Sequence, residues 1–283
     1  MKKYLFLSTL SIIILSVIFT TQYLQSHDGK FHMVFCDVGQ GDSIFFRTSA
    51  GIDVLVDGGP DDKVLGCLGE NLPFWDREID MLILTHPHAD HFTGLTYVLK
   101  RYKVKHFLST GIEGNTEIYR KLKDLLAEHH VSAKNLEAGD RIRLGDESVI
   151  DVLWPSPAWI DGRYQSMSED RLNESSLVLL LKYGSFEAML TGDAEDLILK
   201  ELSLSDVEIL KVPHHGSKGA LTEEILQPLR PELSVIMVGR NSYGHPSGEI
   251  IDILSTAGVK TLRTDLDGDV KIETDGKNWV VKK

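Results

Sequence analysis

The 283-residue chain has few of the features that narrow a function at first sight. It holds only two cysteines, Cys36 and Cys67, too few for a disulfide framework and without the Cys-x-x-Cys spacing of a structural zinc site. Both read as buried free thiols, with pairing left open because their separation in space is not given by the sequence. Basic residues are in deficit, 30 Lys+Arg against 42 Asp+Glu for a net charge of −12, which counts against broad, non-specific binding of nucleic acid. There is no repeat of fixed period and no low-complexity linker. A single long hydrophobic run rules out a multi-span channel.

That run opens the chain. Lys2 and Lys3 precede Tyr4 to Ser26, a stretch without a charge whose strongest part is Leu5 to Phe19. A soluble core helix would carry a charged face at helical period, and none is present. The run is long enough to cross a bilayer and no Ala-x-Ala-like site follows it, so a signal anchor is favoured over a cleaved signal peptide. Two N-terminal lysines place the N-terminus inside and the rest of the chain outside. The expected division is therefore residues 1–27 as targeting segment, contacting the membrane through residues 4–26, and residues 28–283 as one domain. Its location is the cell membrane, single-pass with the domain extracytoplasmic, or secreted.

Within 28–283, strands and helices alternate. Strand patterns run over Phe31–Val38, Ser43–Thr48, Ile52–Asp57, Ile79–Thr85, Arg141–Leu144, Val149–Trp154, Ser176–Tyr183, Phe186–Leu190, Val207–Val212 and Leu233–Val238. Helical periodicity marks Leu95/Val98/Leu99, Asn115–His129, Ala194–Leu202, Thr222–Leu229 and Gly248–Thr256, and a hairpin closes the chain around Asp275-Gly276. This alternation predicts a layered α/β (α+β) fold.

The chemistry concentrates in Thr85-His86-Pro87-His88-Ala89-Asp90-His91, directly after a strand that reads as buried on both faces. Pro87 keeps His86 extended, and four candidate ligands fall within six residues, a mixture of imidazole and carboxylate that suits zinc, or manganese and iron less specifically. Two more strands end in ligand-type residues, Thr191-Gly192-Asp193 and Pro213-His214-His215-Gly216-Ser217. Alone, Asp193 would pass for a helix N-cap.

Together these segments resemble the motifs of the metallo-β-lactamase superfamily. More narrowly, Asp37-Val38-Gly39-Gln40-Gly41-Asp42-Ser43, Asp57-Gly58-Gly59 and Asn241-x-Tyr243-Gly244-His245-Pro246 resemble the metallo-β-lactamase-like hydrolase domain of the ComEC competence proteins, from about Phe31 to the C-terminus. The resemblance implies an αββα sandwich, preceded here by one hydrophobic N-terminal helix, with two divalent metal ions at one edge, zinc or alternatively manganese. Carried over by residue, His86 and His88 hold the first ion, Asp90, His91 and His215 the second, and Asp193 bridges them. Where many members place a Gly-His before the strand at Ser176, this chain has Asn173-Glu174-Ser175-Ser176. The first site is then open, completed by water, Asn173 or substrate.

Such a pair of ions activates water and stabilises charge on a phosphoryl or carbonyl oxygen. Asp90, His214 and His245 are the expected catalytic residues, the two histidines binding an oxyanion or protonating the leaving group. Asp57 is read as orienting a ligand imidazole, or else as a turn residue before Gly58-Gly59. The expected function is metal-dependent hydrolysis of a phosphodiester, with single-stranded DNA or RNA among the candidate substrates and no protein partner indicated. The alternatives are hydrolysis of another ester, such as phosphorylcholine or a thioester, and a metal-stabilised binding module without catalysis. Lys100 to Lys105 reads as a solvated basic face or a phosphate contact, Asp265 to Asp269 as a turn, and His106, His129 and His130 as surface or structural residues.

Overall fold

The computed structural model describes residues 2–145, 147–163 and 168–282. Helix α1 (Lys2–Ser26) stands out from the remainder; its segment Phe6–Ser26 is long and apolar enough to cross a membrane, and none of that apolar window is buried. After it come β1 (Phe31–Phe35), β2 (Ile44–Arg47), β3 (Asp53–Val56), α2 (Val64–Asn71), β4 (Glu78–Ile83), the single turn α3 (Ala89–Phe92), α4 (Leu95–Arg101), β5 (Lys103–Ser109), α5 (Glu117–Glu128) and β6 (Ser132–Asn135). The second half adds β7 (Arg141–Arg143), β8 (Val149–Trp154), α6 (Pro157–Arg163), β9 (Val178–Tyr183), β10 (Phe186–Leu190), α7 (Asp196–Leu199), β11 (Ile209–Lys211), α8 (Glu223–Leu229), β12 (Leu233–Ile236), α9 (Gly248–Thr256), β13 (Lys260–Arg263), α10 (Thr264–Asp267), β14 (Val270–Thr274) and β15 (Trp279–Lys282).

Two sheets result, ordered β15-β14-β1-β2-β3-β4-β5-β6 and β13-β12-β11-β10-β9-β8-β7. Period-2 alternation divides the strand residues between two layers. Phe31, Met33 and Phe35 of β1, Val54 and Val56 of β3, and Leu179 and Leu181 of β9 point into the space between the sheets. Their neighbours Val34 and Leu55 face outward beneath α2, α4 and α5, while Val178 and Leu180 face the layer of α7, α8 and α9. Strands greasy on both faces need helices on the outside, and the αββα sandwich follows. Thr116 caps α5 by accepting from Tyr119 N at 3.2 Å. On that helix Leu122, Leu125 and Leu126 are buried as their spacing predicts.

Several elements carried too weak a pattern to be read. β6 is exposed along its whole length and β13 is half-buried, so neither shows an apolar alternation. β5 begins inside the basic run: Val104 turns inward while Lys103 and Lys105 turn out to pair with Glu78 and Asp80, the solvated-face reading of that stretch. The helix expected over Ala194–Leu202 shrinks to the turn Asp196–Leu199.

α2 is another, and it overturns the free-thiol expectation. Cys36 at the end of β1 and Cys67 on α2 lie in one apolar layer with Cα atoms 5.8 Å apart and form a disulfide. A helix unseen in the sequence brings the second sulfur across, so the pairing had no local signal.

Candidate metal centre

Every chemistry-bearing loop emerges at one end of the sandwich. The turn after β3 supplies Asp57, the loop after β4 His86 to His91, the turn after β10 Asp193, and the loop after β11 His214 and His215. Close backbone approach locks them together. A Cβ on Gly94 would lie 1.8 Å from Gly58 O, and one on Gly41 would lie 2.1 Å from Asp90 O, so glycine alone lets these turns meet. Gly41 thus belongs to a brace for the histidine loop. Thr85 joins the two sheets, accepting from Leu177 N at 3.0 Å.

Asp57 is the anchor of the histidine loop. Its Oδ1 accepts from Thr85 N at 2.8 Å, and its Oδ2 accepts from the Thr85 hydroxyl at 2.7 Å and from His91 Nδ1 at 2.8 Å. A carboxylate can only accept, so Nδ1 of His91 carries hydrogen and Nε2 is aimed inward. There it meets Asp193 Oδ2 at 3.3 Å, which also lies 3.6 Å from His215 Nε2 and 3.8 Å from His86 Nε2. His215 is fixed from behind, its Nδ1 2.8 Å from Met237 O, and its Nε2 lies 3.5 Å from Asp90. His214 and His215 both adopt positive φ, 43° and 52°, a costly backbone that points the two rings into the cleft.

The electrostatics follow from this crowding. Burial alone would raise the Asp193 carboxyl, but the imidazoles of His91 and His215 hold it well below the usual carboxylate range. Conversely, burial would depress His215, yet Asp193 and Asp42 push it up to about 10, and Asp193, Asp57 and Asp90 hold His91 well above the usual imidazole value. His86 is driven well below it by burial and by His91.

Several of these atoms lack a partner. His91 Nε2, His215 Nε2, Asp193 Oδ1 and Asp42 Oδ1 are buried without a hydrogen bond, a costly state that a cation would relieve. Ligand-type atoms come together in the groups His86–His91–Asp193 and Asp90–His91–His215. His88 belongs to neither, but its Nδ1 lies 3.1 Å from His86 Nε2, close enough for both nitrogens to bind one ion at the ~2.1 Å typical of zinc. The residues present therefore fit a metal centre. The group Asp28–His32–Glu273 at the far end of the first sheet differs: Glu273 pairs with Lys30 and Lys282.

His214 and His245 face each other across the cleft mouth with ring centroids 5.4 Å apart. Nδ1 of His214 meets Glu195 at 2.7 Å, and Asn173 Nδ2 lies 3.3 Å from its Nε2. Asn173 thus lines the cleft, and the Ser176 hydroxyl accepts from Asp193 N at 3.1 Å. Glu195, Asp42 and Lys211 were not singled out in the sequence. The Lys211 ammonium is fully buried, pairs with Asp42 and donates to Gly192 O at 2.7 Å. A lysine within the apolar run Ile209-Leu210-Lys211-Val212 was the available signal, since lysine is almost never buried unless paired. His106, His129 and His130 lie exposed, away from the cleft.

Residues 36–160 match the family model of the metallo-beta-lactamase superfamily. That segment belongs to the metallo-β-lactamase superfamily. The chain has the fold of that superfamily: it superposes on the metallo-beta-lactamase fold protein YhfI from Bacillus subtilis with a TM-score of 0.54 and 14% identity, covering 84% of this chain and 98% of YhfI. The chain is 30% identical over 270 residues to ComE operon protein 3 of Bacillus subtilis, covering 87% of this chain and 33% of that protein. Recombination protein 2 of Haemophilus influenzae is 26% identical over 214 residues, covering 72% of this chain and 24% of the relative. The chain thus spans a third or less of the length of these relatives.

Proposed function

We propose that the protein is a metal-dependent hydrolase of phosphodiesters, with single-stranded nucleic acid as the favoured substrate. The observation that carries this reading is the ring of buried, hydrogen-bond-free ligand atoms around Asp193 at the base of an open cleft whose mouth holds His214 and His245. His86, His88, Asp90, His91, Asp193 and His215 would hold two divalent ions. When bound, such ions supply Lewis acidity toward a phosphoryl oxygen and lower the pKa of a nearby water.

The chain's own residues supply the rest. Asp90, held ionised by His91 and His215 against the effect of burial, orients the attacking water by accepting its hydrogen. His214, steadied by Glu195, protonates the leaving oxygen, and His245 donates to a non-bridging oxygen. The cleft encloses about 930 Å³ and is lined by Arg240, whose guanidinium suits a phosphate. Tyr243, 75% exposed at the rim, offers a face on which a base can stack. Likeness to a protein named for recombination favours nucleic acid.

Residues 1–27 act as a membrane anchor with residues 28–283 outside, a location supported by the Cys36–Cys67 disulfide, since such bonds persist in oxidising compartments. The full chain, purified and loaded with zinc or manganese, is expected to contain close to two ions and to cleave bis(p-nitrophenyl) phosphate and single-stranded DNA. Asp193→Ala abolishes both. Turnover of a thioester or phosphorylcholine ester alone would transfer the reading to that substrate, and metal binding without turnover of any ester would make the protein a binding module.

A further inference from the structure

Two large aromatics stand in water at the end of the molecule opposite the metal centre. Phe74 is 51% and Trp75 36% exposed, side by side on the turn between α2 and β4, their ring centroids 4.9 Å apart. They do not stand alone: the Trp75 ring lies 4.6 Å from that of Phe19 on α1, and Phe74 N donates to Gln22 Oε1 at 3.1 Å. The charges that flank them are engaged within the protein, Asp76 by Arg47 at 2.8 Å and Arg77 over the Tyr102 ring at 5.8 Å. An apolar turn is thus held against the side of the one helix suited to a bilayer among the described residues.

Helix geometry sets its depth. From Tyr4 to Tyr23 the axis rises ~28 Å, close to the ~30 Å hydrocarbon thickness, and tyrosine at both ends matches the aromatic preference of the two interfaces. Phe19 lies four residues, or ~6 Å, inside Tyr23. A tryptophan seated on Phe19 therefore enters the outer boundary of the hydrocarbon, within the ~5–10 Å reached by interfacial apolar groups.

Topology sets the direction. β1 is antiparallel to β2, β2 to β3, and β3 is parallel to β4, so β1 and β4 both start at the same pole. α1 enters β1 there and the Phe74-Trp75 turn enters β4 there, whereas the histidine loop leaves β4 at its other end. The seven steps from Glu78 to Thr85 span ~23 Å at strand rise.

We infer that Phe74 and Trp75 form a second membrane contact, which with α1 seats the N-terminal pole of the first sheet on the phospholipid bilayer and holds the metal centre about two dozen ångströms above it, open to the aqueous side. This rests on the reading of α1 as an anchor. The cleft then receives a dissolved polymer, and the headgroups of the protein's own membrane lie out of its reach.

The full chain, reconstituted into phosphatidylcholine/phosphatidylglycerol vesicles containing acyl-brominated lipid, tests this by tryptophan quenching. Of the four tryptophans, Trp75 stands on the apolar turn while Trp279, at the same pole, packs against the core between the sheets, so quenching by bromine should be lost in Trp75→Phe and kept in Trp279→Phe. A fluorophore at Ser242→Cys, on the cleft rim, should stay unquenched. The double variant Phe74→Ser/Trp75→Ser should keep wild-type phosphodiester turnover. If the chain floats with the vesicles while Trp75 is reached by aqueous acrylamide and not by bromine, the wedge is overturned and the anchor stands. If Trp75 is shielded from both quenchers, it is buried in a contact with another copy, and the wedge is again overturned. Failure of the chain to float with the vesicles overturns the anchor reading itself, and the wedge with it.

Discussion

Asp57→Asn isolates the contribution of the residue that never meets the cleft. The substitution is isosteric and leaves the positive φ of 58° with a side chain that tolerates it. One Asp57 oxygen accepts from Thr85 N, and the other accepts from the Thr85 hydroxyl and His91 Nδ1. An amide must turn its NH₂ toward one of these sides. If its oxygen keeps the Thr85 N–H, the NH₂ faces Nδ1 of His91, which must then act as acceptor and move its hydrogen to Nε2. That nitrogen faces Asp193 at 3.3 Å, and His91 belongs to both candidate metal groups. The expected loss is 10–100-fold in metal affinity, about 1.4–2.7 kcal/mol, the scale found when the group behind a ligating histidine is removed. Zinc titration against a competing chelator measures it, with near-ultraviolet circular dichroism checking the fold. A variant that binds zinc as tightly as the parent would refute the claim that Asp57 sets the His91 tautomer.

Three more outcomes follow from the same geometry. Without metal, His91 and His215 are held protonated at neutral pH by neighbouring carboxylates, so metal loading should release about two protons and affinity should rise with pH through neutrality; calorimetry in buffers of different ionisation enthalpy reads the number, and no buffer dependence would contradict it. Lys211→Met leaves the buried Asp42 carboxylate without its ammonium and should cost about 3–5 kcal/mol in denaturant unfolding, whereas an unchanged midpoint would mean that Asp42 is neutral in the fold. Opening the Cys36–Cys67 loop, whose cysteines are 31 residues apart, with Cys36→Ala/Cys67→Ala should lower stability by about 3.7 kcal/mol on the loop-entropy scale; a change below about 1 kcal/mol would show that the unfolded chain is not restrained by that bond.

Much of the layered fold was legible because its strands carry their own signal. Ile79 to Thr85 reads as buried on both faces, and a strand with that pattern has to lie beneath helices. The helix Gly248–Thr256 was bounded to the residue, since Ser247 caps it, accepting from Ile250 N at 3.4 Å, and Gly258 follows it. β6 and β13 were missed for the converse reason: strands at the sheet edges have no obligation to alternate. The histidine loop was visible as a cluster of ligand types in six residues, and Asp193 and His215 became visible only beside it.

The sequence by itself determined which residues can bind metal and which segment can enter a membrane, because both are local properties: ligand chemistry at short spacing, and an uncharged run of helical length. Tertiary structure alone decided which nitrogen of His91 faces the centre, that Lys211 serves as a buried counter-cation to Asp42, that Cys36 meets Cys67, and that Trp75 rests on Phe19. Each of these joins groups more than 30 residues apart through elements whose packing fixes the distance, and interaction energies at a few ångströms are not encoded in spacing along a chain.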